Sequence, residues 1–165
     1  MSAPKSSSPQ GTPRASAGHA SLRHSPKLIL VADDDLHLRE SLGEVLRQEN
    51  YQVRLAYDGC DTVRQFLDGP PDLILLDVNM PDIDGWRAFQ IIAQLYPFVP
   101  VIIITARPGQ TRRAAELGID ALMEKPLDIP SLLRKIRELL LRPDTAHFAK
   151  VLQSWATEDK PETQG

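Results

Sequence analysis

Between Lys27 and Arg142, short apolar runs alternate with amphipathic stretches five times over, and this alternation restricts the fold more than any other feature. Leu28–Ala32, Leu73–Leu76 and Val101–Ile104 are unbroken apolar runs of strand length, and Val53 and Leu55 alternate with polar neighbours. Ala121–Met123 can form a last short strand. Between them, apolar residues fall at helical spacing: Leu38, Leu42, Val45 and Leu46; Val63, Phe66 and Leu67; Trp86, Phe89, Ile92 and Ala93; and Leu132, Leu133, Ile136, Leu139 and Leu140. Residues 111–117 read as a short helix stopped by Gly118, and Gly69-Pro70-Pro71 ends the second helix. Strict strand–helix alternation predicts a parallel sheet with helices on both faces. The solid apolar runs agree, because a strand covered on both sides has no wet face.

In such sheets functional groups gather beyond the carboxyl ends of the strands. The first strand runs into Asp33-Asp34-Asp35, the third into Asp77-Val78-Asn79, the fourth into Thr105 and the fifth into Glu124-Lys125-Pro126. If these strands are neighbours, carboxylates, a hydroxyl and an ammonium meet at one edge. Two carboxylates about 4 Å apart repel by about 4 kcal/mol at an effective dielectric near 20. A divalent cation relieves that repulsion, and magnesium takes a few carboxylates together with water and phosphate oxygens. Asp33, Asp34 and Asp77 therefore read as a magnesium site with one carboxylate left to react. A carboxylate oxygen can attack phosphorus to form an acyl phosphate. Lys125 and the Thr105 hydroxyl would stabilise the phosphoryl oxygens. Asp35 reads differently, as the cap of the first helix. Asp128 has the same role before the last helix.

Taken together, "VADDD", "PDLILLDVNMPDIDG", "IIIITA" and "EKP" resemble the receiver domain of two-component response regulators, over roughly Lys27 to Arg142. The resemblance implies an α/β, flavodoxin-like (βα)5 doubly wound parallel sheet with strand order 2-1-3-4-5. It implies that Asp77 is the phosphoacceptor, that Asp34 is a direct magnesium ligand and Asp33 one through water, and that Asn79 offers its backbone carbonyl to Mg2+. Lys125 would pair with the phosphoryl group and Thr105 would move to bond it. The implied donor is a phosphohistidine on a sensor histidine kinase or a histidine phosphotransfer protein, and the implied output is a downstream protein partner, with a homodimer also allowed. His19, His24, His37 and His147 do not form a built-in donor. Leu122 departs from the family, which often has Tyr or Phe three residues before the lysine. The stretch from Thr105 to Gly118 is also shorter than usual, so a short fourth helix is expected.

The flanks differ in character. Residues 1–26 are rich in Ser, Pro, Ala and Gly and read as a disordered tail; being basic and Ser-rich, they are also compatible with a transit peptide, against which four prolines speak. Residues 1–27 hold four of the 19 basic residues and none of the 22 acidic ones, so the folded part is net acidic and not suited to non-specific nucleic-acid binding. Past Arg142, the length is short for a DNA-binding or enzymatic domain, so a stand-alone receiver without direct DNA binding is expected. Within residues 143–165, Phe148, Val151, Leu152 and Trp155 fall at i, i+3, i+4 and i+7, the pattern of an amphipathic helix. No apolar run approaches a membrane span. A single cysteine, Cys60, excludes an internal disulfide, and a cytoplasmic location is expected.

Three rivals remain for the acidic edge. A haloacid-dehalogenase-type phosphatase would use similar groups, but with its nucleophile after the first strand and a second aspartate where Asn79 stands. A receiver-like scaffold that never takes phosphate would explain Leu122 but not the full set of site residues. A flavin binder would need a Ser/Thr/Gly phosphate loop where this chain has aspartates. A phosphorylation-controlled binding module, not an enzyme, fits the pattern best.

Overall fold

The computed structural model describes residues 25–81 and 84–142. Apart from Ser25 and Pro26, the tail expected over 1–26 lies outside the described residues, as does the amphipathic stretch within 143–165.

Five strands and five helices alternate: β1 (Leu28–Ala32), α1 (Leu36–Gln48), β2 (Gln52–Ala56), α2 (Gly59–Leu67), β3 (Leu73–Asp77), α3 (Gly85–Leu95), β4 (Val101–Thr105), α4 (Thr111–Glu116), β5 (Ala121–Glu124) and α5 (Ile129–Leu140). All the strand pairs are parallel, and the order is β2-β1-β3-β4-β5. This is the flavodoxin-like arrangement expected from the sequence.

Period-two alternation divides the strands' side chains between two cores. Leu30, Ala32, Ile74, Leu76 and Ile103 face one side, where Phe66 of α2, Trp86, Phe89 and Ile92 of α3 and Ala114 of α4 close over them. Ile29, Val31, Leu73, Leu75, Ile102 and Ile104 face the other, against Leu42 and Leu46 of α1 and Leu132, Ile136 and Leu139 of α5. Both β3 and β4 are buried along their whole length, which is why they read as solid apolar runs.

The helices start where aspartates satisfy their free N–H groups. Asp35 accepts from His37 and Leu38, Asp58 from Asp61, Asp84 from Arg87 and Asp128 from Ser131. The six-residue α4 has no side-chain cap, and Gly118 ends it at φ 68°.

Leu67 lies on α2, as its spacing suggests, and is 58% exposed, because it follows Phe66 by about 100° around the helix and falls off the face that Thr62 and Phe66 bury. One expectation needs correction. The third, fourth and fifth strands each run one residue further than the apolar pattern suggests, taking in Asp77, Thr105 and Glu124. Their backbones pair with neighbouring strands, Asp77 opposite Ile104 and Thr105 opposite Glu124. Two chemically important side chains are thus fixed by the sheet ladder and not by loops.

Candidate functional site

Since β1 and β3 are adjacent, the residues following Ala32 lie beside the end of β3. One carboxylate oxygen from each of Asp33, Asp34 and Asp77 lies within 4.8 Å of the others. Asp33 and Asp77 are buried, while Asp34 is exposed. The aspartates that the sequence nominates therefore converge, although Asp77 lies far along the chain from the other two.

Each buried carboxylate is held at both oxygens. Asp33 Oδ1 accepts from the Asp35 N–H at 2.9 Å, and its Oδ2 accepts from Lys125 Nζ at 2.9 Å. Asp77 Oδ1 accepts from the Asn79 backbone N–H at 2.7 Å and from its side-chain amide at 3.2 Å, while Oδ2 takes a second hydrogen bond from Lys125. Lys125 therefore bridges the two strand ends. Its position is set by β5, for its backbone N–H donates to the Thr105 carbonyl at 2.8 Å.

Thr105 is fully buried next to this cluster. Its hydroxyl accepts from the Arg107 N–H at 3.0 Å and from the Asn79 amide at 3.3 Å, so Asn79 links it to Asp77. The resemblance assigns Asn79 a role through its carbonyl; in this structure its N–H groups are engaged with Asp77 and Thr105. Leu122 is half-buried against the core on the α2–α4 side.

Burial pushes the Asp33 carboxyl above its ordinary range, with the Asp77 charge adding to the effect, against the hydrogen bonds from Lys125 and the Asp35 N–H. Burial opposes the charge on Lys125, but its hydrogen bonds to Asp77 and Asp33 prevail and hold the ammonium above its usual value. One ammonium thus faces two buried carboxylates, with a third at the rim. Such an edge has excess negative charge and is suited to a cation.

The donor set fits magnesium. Oxygens about 2.1 Å from the ion lie roughly 3–4 Å apart in an octahedron, close to the spread of the three aspartates. Their chemistry fits as well, being hard oxygen donors with room for water beside the exposed Asp34.

Several neighbours of the site were not apparent in the sequence. Arg39 donates to the Asp33 carbonyl, fixing the β1–α1 turn. Gly85 lies so close to β3 that a Cβ there would meet the Asp77 carbonyl oxygen at 2.1 Å and Val78 Cα at 2.7 Å. The Asp-Gly punctuation marks that position, but only the fold shows what the missing side chain allows. Beside Asn79, a cleft of about 230 Å³ is lined by Trp86, Arg107, Gln110 and Arg113, with the Arg113 guanidinium 4.5 Å from the centre of the Trp86 ring.

Comparison with known proteins agrees with this geometry. Residues 29–137 match the response regulator receiver domain family. "Response regulator MprA" from Mycobacterium sp. (strain KMS) is 37% identical over 119 residues, covering 71% of this chain and 52% of that protein. The protein of the same name from Mycobacterium ulcerans (strain Agy99) is 37% identical over 116 residues, covering 69% and 50%. The chain thus spans about half the length of the curated relatives it matches. Among solved structures, a CheY-like response regulator receiver domain protein from Methanospirillum hungatei JF-1 superposes with TM-score 0.68 at 29% identity, over 70% of this chain and 94% of that one. The response regulator TrrA of Thermotoga maritima, solved in complex with Mg(2+)-BeF, gives TM-score 0.65 at 30% identity, over 68% and 98%. With the strand order, the three converging aspartates and the matched span in agreement, the chain belongs to the response regulator receiver domain family.

Proposed function

We propose that this receiver is a phosphoacceptor that takes a phosphoryl group onto Asp77 from a phosphohistidine donor, a sensor histidine kinase or a histidine phosphotransfer protein. The observation that carries this reading is the convergence of Asp33, Asp34 and Asp77 on one edge with Lys125 hydrogen-bonded across them. A carboxylate oxygen of Asp77 attacks phosphorus, the phosphorus–nitrogen bond to the donor imidazole breaks, and the imidazole keeps the electron pair and takes up a proton. Asp33, Asp34 and Asp77, with the Asn79 carbonyl, would hold Mg2+, which supplies positive charge for the phosphoryl oxygens when bound. Lys125 is already against Asp77 and supplies a second cation. The Asn79 side-chain amide keeps the Thr105 hydroxyl beside the acceptor.

The product is a switched binding state and not a released compound, so the chain acts as a signalling module and not as an enzyme. A new acceptor on the phosphoryl group draws the Thr105 hydroxyl from its present partners. That loosens the β4–α4 turn, which Arg107 ties to it, and the face formed by α4, β5 and α5 changes for a downstream protein partner. A gap of a few kcal/mol between two states is enough for such a switch. Among the described residues no helix is long and apolar enough to cross a membrane, and the proposed place of action is the cytoplasm.

The test is incubation with acetyl phosphate and magnesium followed by intact-mass measurement. A gain of one phosphoryl group is expected, lost in Asp77→Asn and absent with chelator. No gain under donor excess overturns the reading in favour of a scaffold that never takes phosphate. Turnover of generic phosphate esters would instead favour a phosphatase.

A further inference from the structure

The cleft of about 230 Å³ beside Asn79 draws its walls from separate parts of the chain, with Trp86 on α3, Arg107 in the β4–α4 turn and Arg113 on α4. None of Asp33, Asp34 and Asp77 lines it. Two cations therefore share a space in which Asp84 is the one acidic wall residue among those described, and an oxygen of Asp84 already accepts from the Arg87 N–H at 2.8 Å. At roughly 30 Å³ per water, the space has room for a tetrahedral oxyanion and several waters.

Neither guanidinium is answered by a carboxylate among the described residues. The neighbouring Arg112 is different, for it pairs with Glu116 at 2.8 Å and does not line the cleft. Arg113 instead rests over the Trp86 ring, 4.5 Å from its centre, and Trp86 is itself only 4% exposed. A guanidinium that close to an indole is attracted by the ring's negative face. The buried ring thus holds Arg113 in place before any ligand arrives, which lowers the ordering cost of binding. A planar guanidinium can grip two oxygens of a phosphate at once, with charge-assisted hydrogen bonds.

We propose that this cleft is an oxyanion site, which takes a phosphate-type dianion between Arg107 and Arg113. Two positive charges match a dianion, whereas a single carboxylate leaves one of them over. Bound there, the anion ties α3 to the uncapped α4 and to the turn in which the Arg107 N–H donates to the Thr105 hydroxyl. The site uses none of the three converging aspartates, and it is independent of whether Asp77 accepts a phosphoryl group.

The experiment uses the full chain carrying Trp155→Phe, which leaves Trp86 as the single tryptophan. Inorganic phosphate and acetate are each titrated in chelator, against a chloride background of constant ionic strength, at a pH where phosphate is the dianion. Trp86 emission reports where the anion binds, and the phosphorus NMR linewidth of phosphate reports how tightly. The titrations are repeated with Arg107→Gln, Arg113→Gln and, as a control of equal charge change, Arg112→Gln. All three arginines are exposed, so the core tolerates the changes, and far-UV circular dichroism checks each variant. The expected result is a saturable change in Trp86 emission with phosphate and not with acetate. Phosphate affinity should fall about fivefold or more in Arg107→Gln and in Arg113→Gln, and stay within about twofold of the parent in Arg112→Gln. A parent with no saturable response overturns the proposal, and so does acetate acting as strongly as phosphate. Affinity that either cleft variant leaves intact also overturns it. An Arg112→Gln variant as weak as Arg113→Gln does the same, since general surface charge would then hold the anion.

Discussion

Lys125→Met removes the ammonium shared by Asp33 and Asp77 and keeps most of the side chain's length. The two aspartate side chains are 1% and 3% exposed, with ligand oxygens within 4.8 Å. Unit charges at that separation repel by about 3.5 kcal/mol at an effective dielectric of 20. Removing one member of a buried charge cluster ordinarily costs about 3–5 kcal/mol, and the two figures agree. Against a total stability of about 5–15 kcal/mol, the variant should fold but be visibly weakened. Urea denaturation in chelator measures it: with a slope of about 1–3 kcal/mol per molar, the midpoint should fall by at least about 1 M. Adding Asp77→Asn removes one of the opposed charges and should restore half or more of the loss. Comparison with Asp77→Asn alone completes the cycle. Magnesium should also restore part of it. A midpoint within about 0.3 M of the parent, or a double variant as weak as the single, would refute the claim that Lys125 is the counter-charge of a repelling pair.

Other perturbations probe other parts of the same edge. Gly85→Ala pushes a methyl into the Asp77 carbonyl and Val78 backbone; it should cost about 1–3 kcal/mol in urea and reduce phosphoryl uptake from acetyl phosphate, since the acceptor's backbone must shift. Asp34→Asn changes the exposed member of the proposed magnesium site, so magnesium affinity by isothermal titration should drop while the metal-free urea midpoint stays level or rises slightly. Asp128 is held below its ordinary value of 3.8 by hydrogen bonds from the Ser131 side chain and backbone N–H. Its contribution is therefore present above that pH and lost as pH falls through the lower folded value. Asp128→Ala should lower the urea midpoint at pH 7, and its gap to the parent should close on acidification below about pH 4.

The sheet and its site were legible in the sequence for one physical reason. A strand buried on both faces admits only apolar residues, so the change to Asp, Thr or Lys at its end stands out. The same rule hid whatever depends on distance between elements. Nothing local marks Asp61, which is buried in the first turn of α2 and accepts from Gln65 at 3.0 Å and from the Tyr57 N–H at 3.3 Å. Asn79 could be named from the resemblance, but the amide that ties Asp77 to Thr105 appears only once β3 and β4 are side by side. The exposure of Leu67 was not legible, because a nine-residue helix has too few turns for periodicity to separate a buried position from its neighbour.

The salt link between Lys125 and Asp33 spans 92 positions of chain. A contact of that span needs β1 and the end of β5 both in place, so the acidic edge with its bridging lysine is a product of tertiary structure. Anything that binds there discriminates folded from unfolded molecules, and at ten times its dissociation constant such a ligand adds about 1.4 kcal/mol to the folded state. A divalent ion held there would stabilise the fold itself, whether or not Asp77 carries a phosphoryl group.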